Sequence, residues 1–124
     1  MKKQILLFNI PSQHKVAIEQ LCVDLDIQTK EIGLQDYGTP MGRLCGIKDV
    51  MLPPPTVPVV PFADPMLFFV DFDDQALRSF LSKYNGAGIP KVNLKAGLTP
   101  YNVAWTPMAL HKELSDEHQQ MAGT

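Results

Sequence analysis

The chain has 124 residues, 45% of them hydrophobic and 19% charged, with a formal net charge of −2. That length suits a single domain over 1–124, able to bury a core without disulfide or metal staples, and the composition excludes wholesale disorder. Residues 1–62 hold six basic and six acidic side chains and residues 63–124 hold five and seven. There is then no basic stripe of the kind a phosphate backbone requires, which argues against nucleic acid as a principal partner.

Behind Lys2-Lys3, the apolar run Ile5–Ile10 is too short for a signal-peptide core or a membrane span, so a cytoplasmic protein with no membrane partner is expected. Bounded by Pro11-Ser12, the run reads as a strand buried on both faces. Ser12 is placed to cap a helix whose Ala17, Ile18, Leu21 and Leu25 share one face. Residues 27–32 are more polar and suit an edge strand. Thr39-Pro40 opens a short helical turn that Gly46 closes. Cys22 and Cys45 lack metal or redox spacing and read as reduced core residues.

Six prolines fall in the sixteen residues from Met51 to Met66, which forbids a helix or central strand there and predicts an extended arm. Its Val57, Val59, Val60 and Phe62 make it apolar, unlike a linker, so it should lie on a surface. Leu67–Phe72 is a second doubly apolar strand. Asp73 or Asp74 caps the next helix, which carries Leu77, Phe80, Leu81 and Tyr84 on one stripe and stops at Asn85-Gly86. Val92, Leu94 and Ala96 alternate with Lys91, Asn93 and Lys95 as a strand with one wet face. The last helix starts at Thr106-Pro107, with Leu110, Leu114, His118 and Met121 down one side and a fraying tail after it.

The order is thus β-α-β over 1–50, a proline-rich arm over 51–66, β-α-β over 67–96 and a terminal helix over 106–121. This predicts an α+β, ferredoxin-like β-α-β-β-α-β sandwich with the first and third strands central; a doubly wound parallel sheet is the alternative. Right-handed crossovers place both main helices on one face. The terminal helix, the arm or a second subunit must cover the other.

Chemistry concentrates in K-V-N-L-K-A-G-L-T-P-Y-N-V-A-W-T-P, Lys91 to Pro107. Lys95 and Thr99, beside exposed backbone amides, are groups that hold a carboxylate or phosphate; Asn102 can orient such a ligand and Trp105 can wall it. The same residues also suit structural work: Thr99 and Thr106 as caps before prolines, Asn102 in a turn, Trp105 on the core and Lys95 in water. Asp71, Asp73 and Asp74 are read as helix-start acids rather than Mg²⁺ ligands, and His111 and His118 are two turns apart, too far along the axis to share an ion. No metal, cofactor or catalytic residue is therefore expected.

Met66-Leu67-Phe68-Phe69, Ile89, Lys95-Ala96-Gly97-Leu98-Thr99-Pro100-Tyr101-Asn102, Trp105-Thr106, Leu110, Glu113-Leu114 and Glu117-His118 resemble a small bacterial family known only as a domain of unknown function. Leu21-Cys22, Asp36-Tyr37 and Gly42-x-Leu44-x-Gly46 resemble it more loosely. The resemblance implies a bacterial source but no activity, and it implies a β-branched residue where this chain has Gly97. The expected function is a small non-catalytic interaction or oligomerisation domain, most simply a homodimer. The alternative is a binding module for a small anionic ligand at Lys95, Thr99, Asn102 and Trp105.

Overall fold

A computed structural model describes residues 2–48 and 50–122. Its strands are β1 (Gln4–Phe8), β2 (Gln28–Glu31), β3 (Met66–Val70) and β4 (Leu94–Gly97). The helices are α1 (Ser12–Asp24), α2 (Met41–Leu44), α3 (Asp74–Gly86) and α4 (Pro107–Ala122), with a 3-10 turn at Leu34–Asp36. None of them is long and apolar enough to cross a membrane.

The strands form one sheet in the order β2-β1-β3-β4. As expected, β1 and β3 are central and the other two are edges. The ferredoxin-like order is nevertheless corrected, because each edge strand pairs with the opposite central strand from the one that order demands. Here β1 lies parallel to β2 and β3 parallel to β4, and the two parallel pairs meet antiparallel at β1–β3. A ferredoxin-like sheet makes β2 and β3 neighbours. In this chain a long connection separates them, and its described residues pack on a sheet face, so β2 is not held beside β3 and pairs with β1 instead.

Each central strand buries both faces, which is why both read as unbroken apolar runs. Ile5, Leu7, Leu67 and Phe69 meet α1 and α3 through Ile18, Cys22, Phe80 and Tyr84. Leu6, Phe8, Met66, Phe68 and Val70 face the other way, where Tyr37, Met41, Leu44 and Leu110 cover them with Val59, Phe62 and Leu114 packed alongside. The terminal helix, α2 and the arm therefore close the second face within the chain. The arm is held tightly: a Cβ on Gly38 would fall 2.0 Å from the Thr56 carbonyl oxygen, and Thr56 N–H donates to Gly38 O at 2.8 Å.

The two β-α-β units are near-copies in geometry. Both α1 and α3 have thirteen residues. Asn9 (φ 56°) follows β1 as Asp71 (φ 65°) follows β3. Asp26 (φ 58°) follows α1 as Gly88 (φ 72°) follows α3, with the same spacing from Asn9 to Asp71 as from Asp26 to Gly88. At the far ends, Ile32 N–H donates to Leu7 O and Leu98 N–H to Phe69 O, both at 2.9 Å. A two-fold axis through the sheet between β1 and β3 relates the halves. Two crossovers of equal hand then place both helices on one face, as expected.

Local expectations shift in four places. The capping position of α1 is Pro11, with no side-chain cap, and Ser12 is already helical. α3 runs through Gly86 to an Ala87 cap, with the left-handed turn at Gly88. β4 begins only at Leu94, so Val92 packs among the α1 and α3 residues, opposite Leu94. After Thr99 the chain makes a turn rather than a helix. The Met121 side chain and Gly123-Thr124 lie outside the described residues.

Candidate functional site

Thr99 and Asn102 close a turn on themselves. Thr99 Oγ1 accepts from Asn102 N–H at 3.0 Å and Tyr101 N–H at 3.2 Å, while Thr99 N–H donates to Asn102 Oδ1 at 2.8 Å. Asn102 Nδ2 also donates to Gly97 O at 2.8 Å, which ties the turn to the end of β4. A buried amide with its oxygen and nitrogen both engaged is the satisfied state expected in an interior. Thr106 Oγ1 accepts from Ala109 N–H at 3.2 Å and caps α4 as anticipated.

Lys95 is half-buried rather than in open water. Its register partner is Leu67, so it lies on the helix-covered face, and Nζ donates to Val92 O at 2.6 Å. Burial, and secondarily the charge of Lys91, pull its pKa below the ordinary lysine value. Trp105 is 37% exposed, and its backbone oxygen accepts from Met41 N–H at 2.7 Å. It lines a groove of about 720 Å³ with Val60, Phe62 and Met108, between the arm and α4. The four predicted side chains therefore go to three places: Lys95 to one crevice, Trp105 to another groove, and Thr99 with Asn102 to the turn between them.

Lys95's crevice, about 840 Å³, opens at the carboxyl ends of β3 and β4. Phe69, Phe72, Leu77 and Leu81 supply apolar walls, and Lys3, Lys95, Asp71 and Asp73 are the charged residues of the lining. This is where open α/β sheets present their binding crevices. The Asp73 carboxylate is committed, since it accepts from Ala76 N–H at 2.7 Å and caps α3. With Asp74 in the first turn, that helix terminus is already neutralised, so a bound anion relies on the two lysines.

The equivalent place in the first half is shut. Where α3 and β4 carry Leu77 and Gly97, α1 and β2 carry Lys15 and Glu31, whose side chains form an ion pair across the gap. Asn9, the counterpart of Asp71, donates to Phe62 O at 2.8 Å and Asp64 O at 3.2 Å and accepts from Tyr37 O–H at 3.0 Å. The arm itself thus covers this end. It is fixed by a stack in which Phe62 lies 4.4 Å from the Tyr37 ring and 4.1 Å from the His111 ring.

His111 sits beside Asp64 (Nε2–Oδ2 2.9 Å) and Ser115 (Oγ–Nε2 3.3 Å). A catalytic relay places the carboxylate and the hydroxyl at opposite ring nitrogens, whereas both neighbours here meet Nε2. The cluster clamps the arm and does not activate Ser115. Among the described residues no group of three His, Cys, Asp or Glu side chains could hold a metal ion, and both cysteines are buried and free.

Reading the sequence missed Lys3, Asp71, Phe72 and Leu77 as neighbours of Lys95. Only Asp71 carried a local signal, as a polar residue directly ending an apolar strand.

Neither the curated proteins nor the solved structures yield a match to the chain. Residues 65–121 match the family model of a domain of unknown function, DUF3783, a span that holds β3, α3, β4 and the turn at Thr99, and so most of the open crevice.

Proposed function

We propose that the protein is a small non-catalytic binding module whose β3–β4 crevice takes a small organic anion with an apolar body. One observation carries this reading: of two geometrically equivalent crevices, the first is bridged by Lys15–Glu31 and roofed by the arm, and the second stays open with two ammonium groups at apolar walls. Lys95 is the principal anion contact and Lys3 the second. Thr99 and Asn102 act from behind, holding the Gly97 carbonyl and hence the crevice wall. Buried free thiols suit a reducing, cytoplasmic setting.

Scanning fluorimetry with 3-phenylpropionate and hexanoate at millimolar concentration tests it, because a ligand that binds only the folded state raises the melting temperature. The expected result is a rise in the wild type that Lys95→Met removes. No rise with either acid or with its amino-substituted counterpart, or an equal rise in the variant, refutes the reading.

Self-association is the second reading, and it moves to a new surface. The sheet face that called for a partner is covered, but the groove at Trp105 lies beside Val60, 61% exposed, while Val57 is 82% and Tyr101 83% exposed elsewhere on the arm and turn. A second copy docking its arm there makes a homodimer. A monomer by light scattering at high micromolar concentration eliminates it.

A further inference from the structure

We infer that the ligand of the β3–β4 crevice is a zwitterion, carrying an ammonium group for Asp71 as well as an acid group for the lysines. This rests on the binding-module reading and narrows its ligand class to amino-acid-like molecules with an apolar body.

The first half shows what a side chain at this position reaches. Asn9, left-handed at the end of β1, turns its amide nitrogen to two carbonyl oxygens of the overlying arm and its oxygen to the Tyr37 hydroxyl. Asp71 has the same backbone at the end of β3. Its carboxylate, exposed at the crevice, only accepts hydrogen bonds, so a group that docks against it has to bring donors. Among the described residues no side chain or backbone group hydrogen-bonds to it. Asp73, the other carboxylate of the crevice, is occupied in capping α3.

Asp71, Lys3 and Lys95 thus line one space of about 840 Å³ with the walls of Phe69, Phe72, Leu77 and Leu81, and Lys95 Nζ, bonded to Val92 O, keeps two further N–H donors. A pure acid satisfies the lysines and leaves Asp71 facing a second anion. A pure amine does the reverse. A molecule with both charges and an apolar middle meets all three features.

The test is calorimetric titration of the full chain with matched pairs: phenylalanine against 3-phenylpropionate, and 6-aminohexanoate against hexanoate. The pairs also separate a short from a long distance between the charges. Asp71→Asn is the variant, since Asn already occupies the equivalent left-handed position at residue 9. At least one amino acid should bind about tenfold tighter than its deaminated acid, the scale of one charge-assisted hydrogen bond, and Asp71→Asn should erase the difference. If the acids bind as tightly as the amino acids, or the preference survives Asp71→Asn, the inference fails while the binding-module reading stands. If no probe of either kind binds, both fail.

Discussion

The two β-α-β units share strand lengths, helix lengths and left-handed turns almost position for position, yet one end is sealed and its counterpart is open. Backbone geometry alone therefore does not make the crevice. Three side-chain differences do, Lys15 against Leu77, Glu31 against Gly97 and Asn9 against Asp71, together with an arm that roofs only the first crevice. Residues that close a gap contribute structure, whereas their counterparts leave polar and apolar groups available to something else.

The largest expected effect probes packing. Ile18 and Phe80 are fully buried counterparts, but Phe80 also meets Phe69 and Phe72 edge-on. By urea denaturation Phe80→Ala should cost about 3–5 kcal/mol and more than Ile18→Ala. Equal costs would mean that the second half owes nothing to its aromatic cluster.

Transplanting the bridge comes next. Leu77→Lys with Gly97→Glu rebuilds the first half's ion pair in the second; among the described residues, the only non-neighbouring atom within 4 Å of a Cβ at position 97 is Phe69 O, at 3.8 Å. Ligand binding should fall more than tenfold, while stability falls by about 1–2 kcal/mol, because the half-buried Leu77 gives up apolar burial that the ion pair does not replace. Undiminished binding would separate the crevice from the function proposed for it.

Helix starts offer a smaller contrast. Asp73→Ala removes a cap and should cost about 1 kcal/mol. Ser12→Ala removes none and should change stability by less than about 0.5 kcal/mol. Comparable losses would contradict the assignment of Pro11 as the capping residue of α1.

The thiols give the smallest effect near neutrality. Burial pushes Cys22 up from 9.0 to about 12 and Cys45 to about 11. Folded protein thus keeps protons that unfolded chain releases, and the stability linked to the thiols is complete below pH 9 and declines as pH rises toward those folded values. At pH 8 both should resist iodoacetamide until the protein unfolds. Fast alkylation of native protein would overturn their burial.

Much of the fold was legible because its signals are local. The apolar runs at Ile5 and Leu67, the proline density from Pro53 to Pro65 and the Thr106-Pro107 start each speak through neighbouring residues. Strand order was not legible, since it depends on whether Ile32–Pro65 turns tightly or crosses a face. The repeated β-α-β order was legible, but the closeness of the match was not, because it resides in dihedral angles and helix length while Ile18 corresponds to Phe80 and Cys22 to Tyr84. For the candidate site, Lys95 was singled out from its place at the end of an edge strand. Its partners come from the start of β1, the end of β3 and α3, which no spacing rule connects. The polar string that flagged Thr99 and Asn102 is a turn satisfying its own hydrogen bonds.

The most direct test of the central contrast is a ¹⁵N–¹H NMR titration of the full chain with phenylalanine and with 3-phenylpropionate. Saturable shifts should gather at Asp71, Phe72 and Lys95–Leu98 and leave Asn9, Ile10, Glu31 and Ile32 unmoved. Shifts at the first half or around Trp105, or none at all, would contradict the assignment of the open crevice as the binding site.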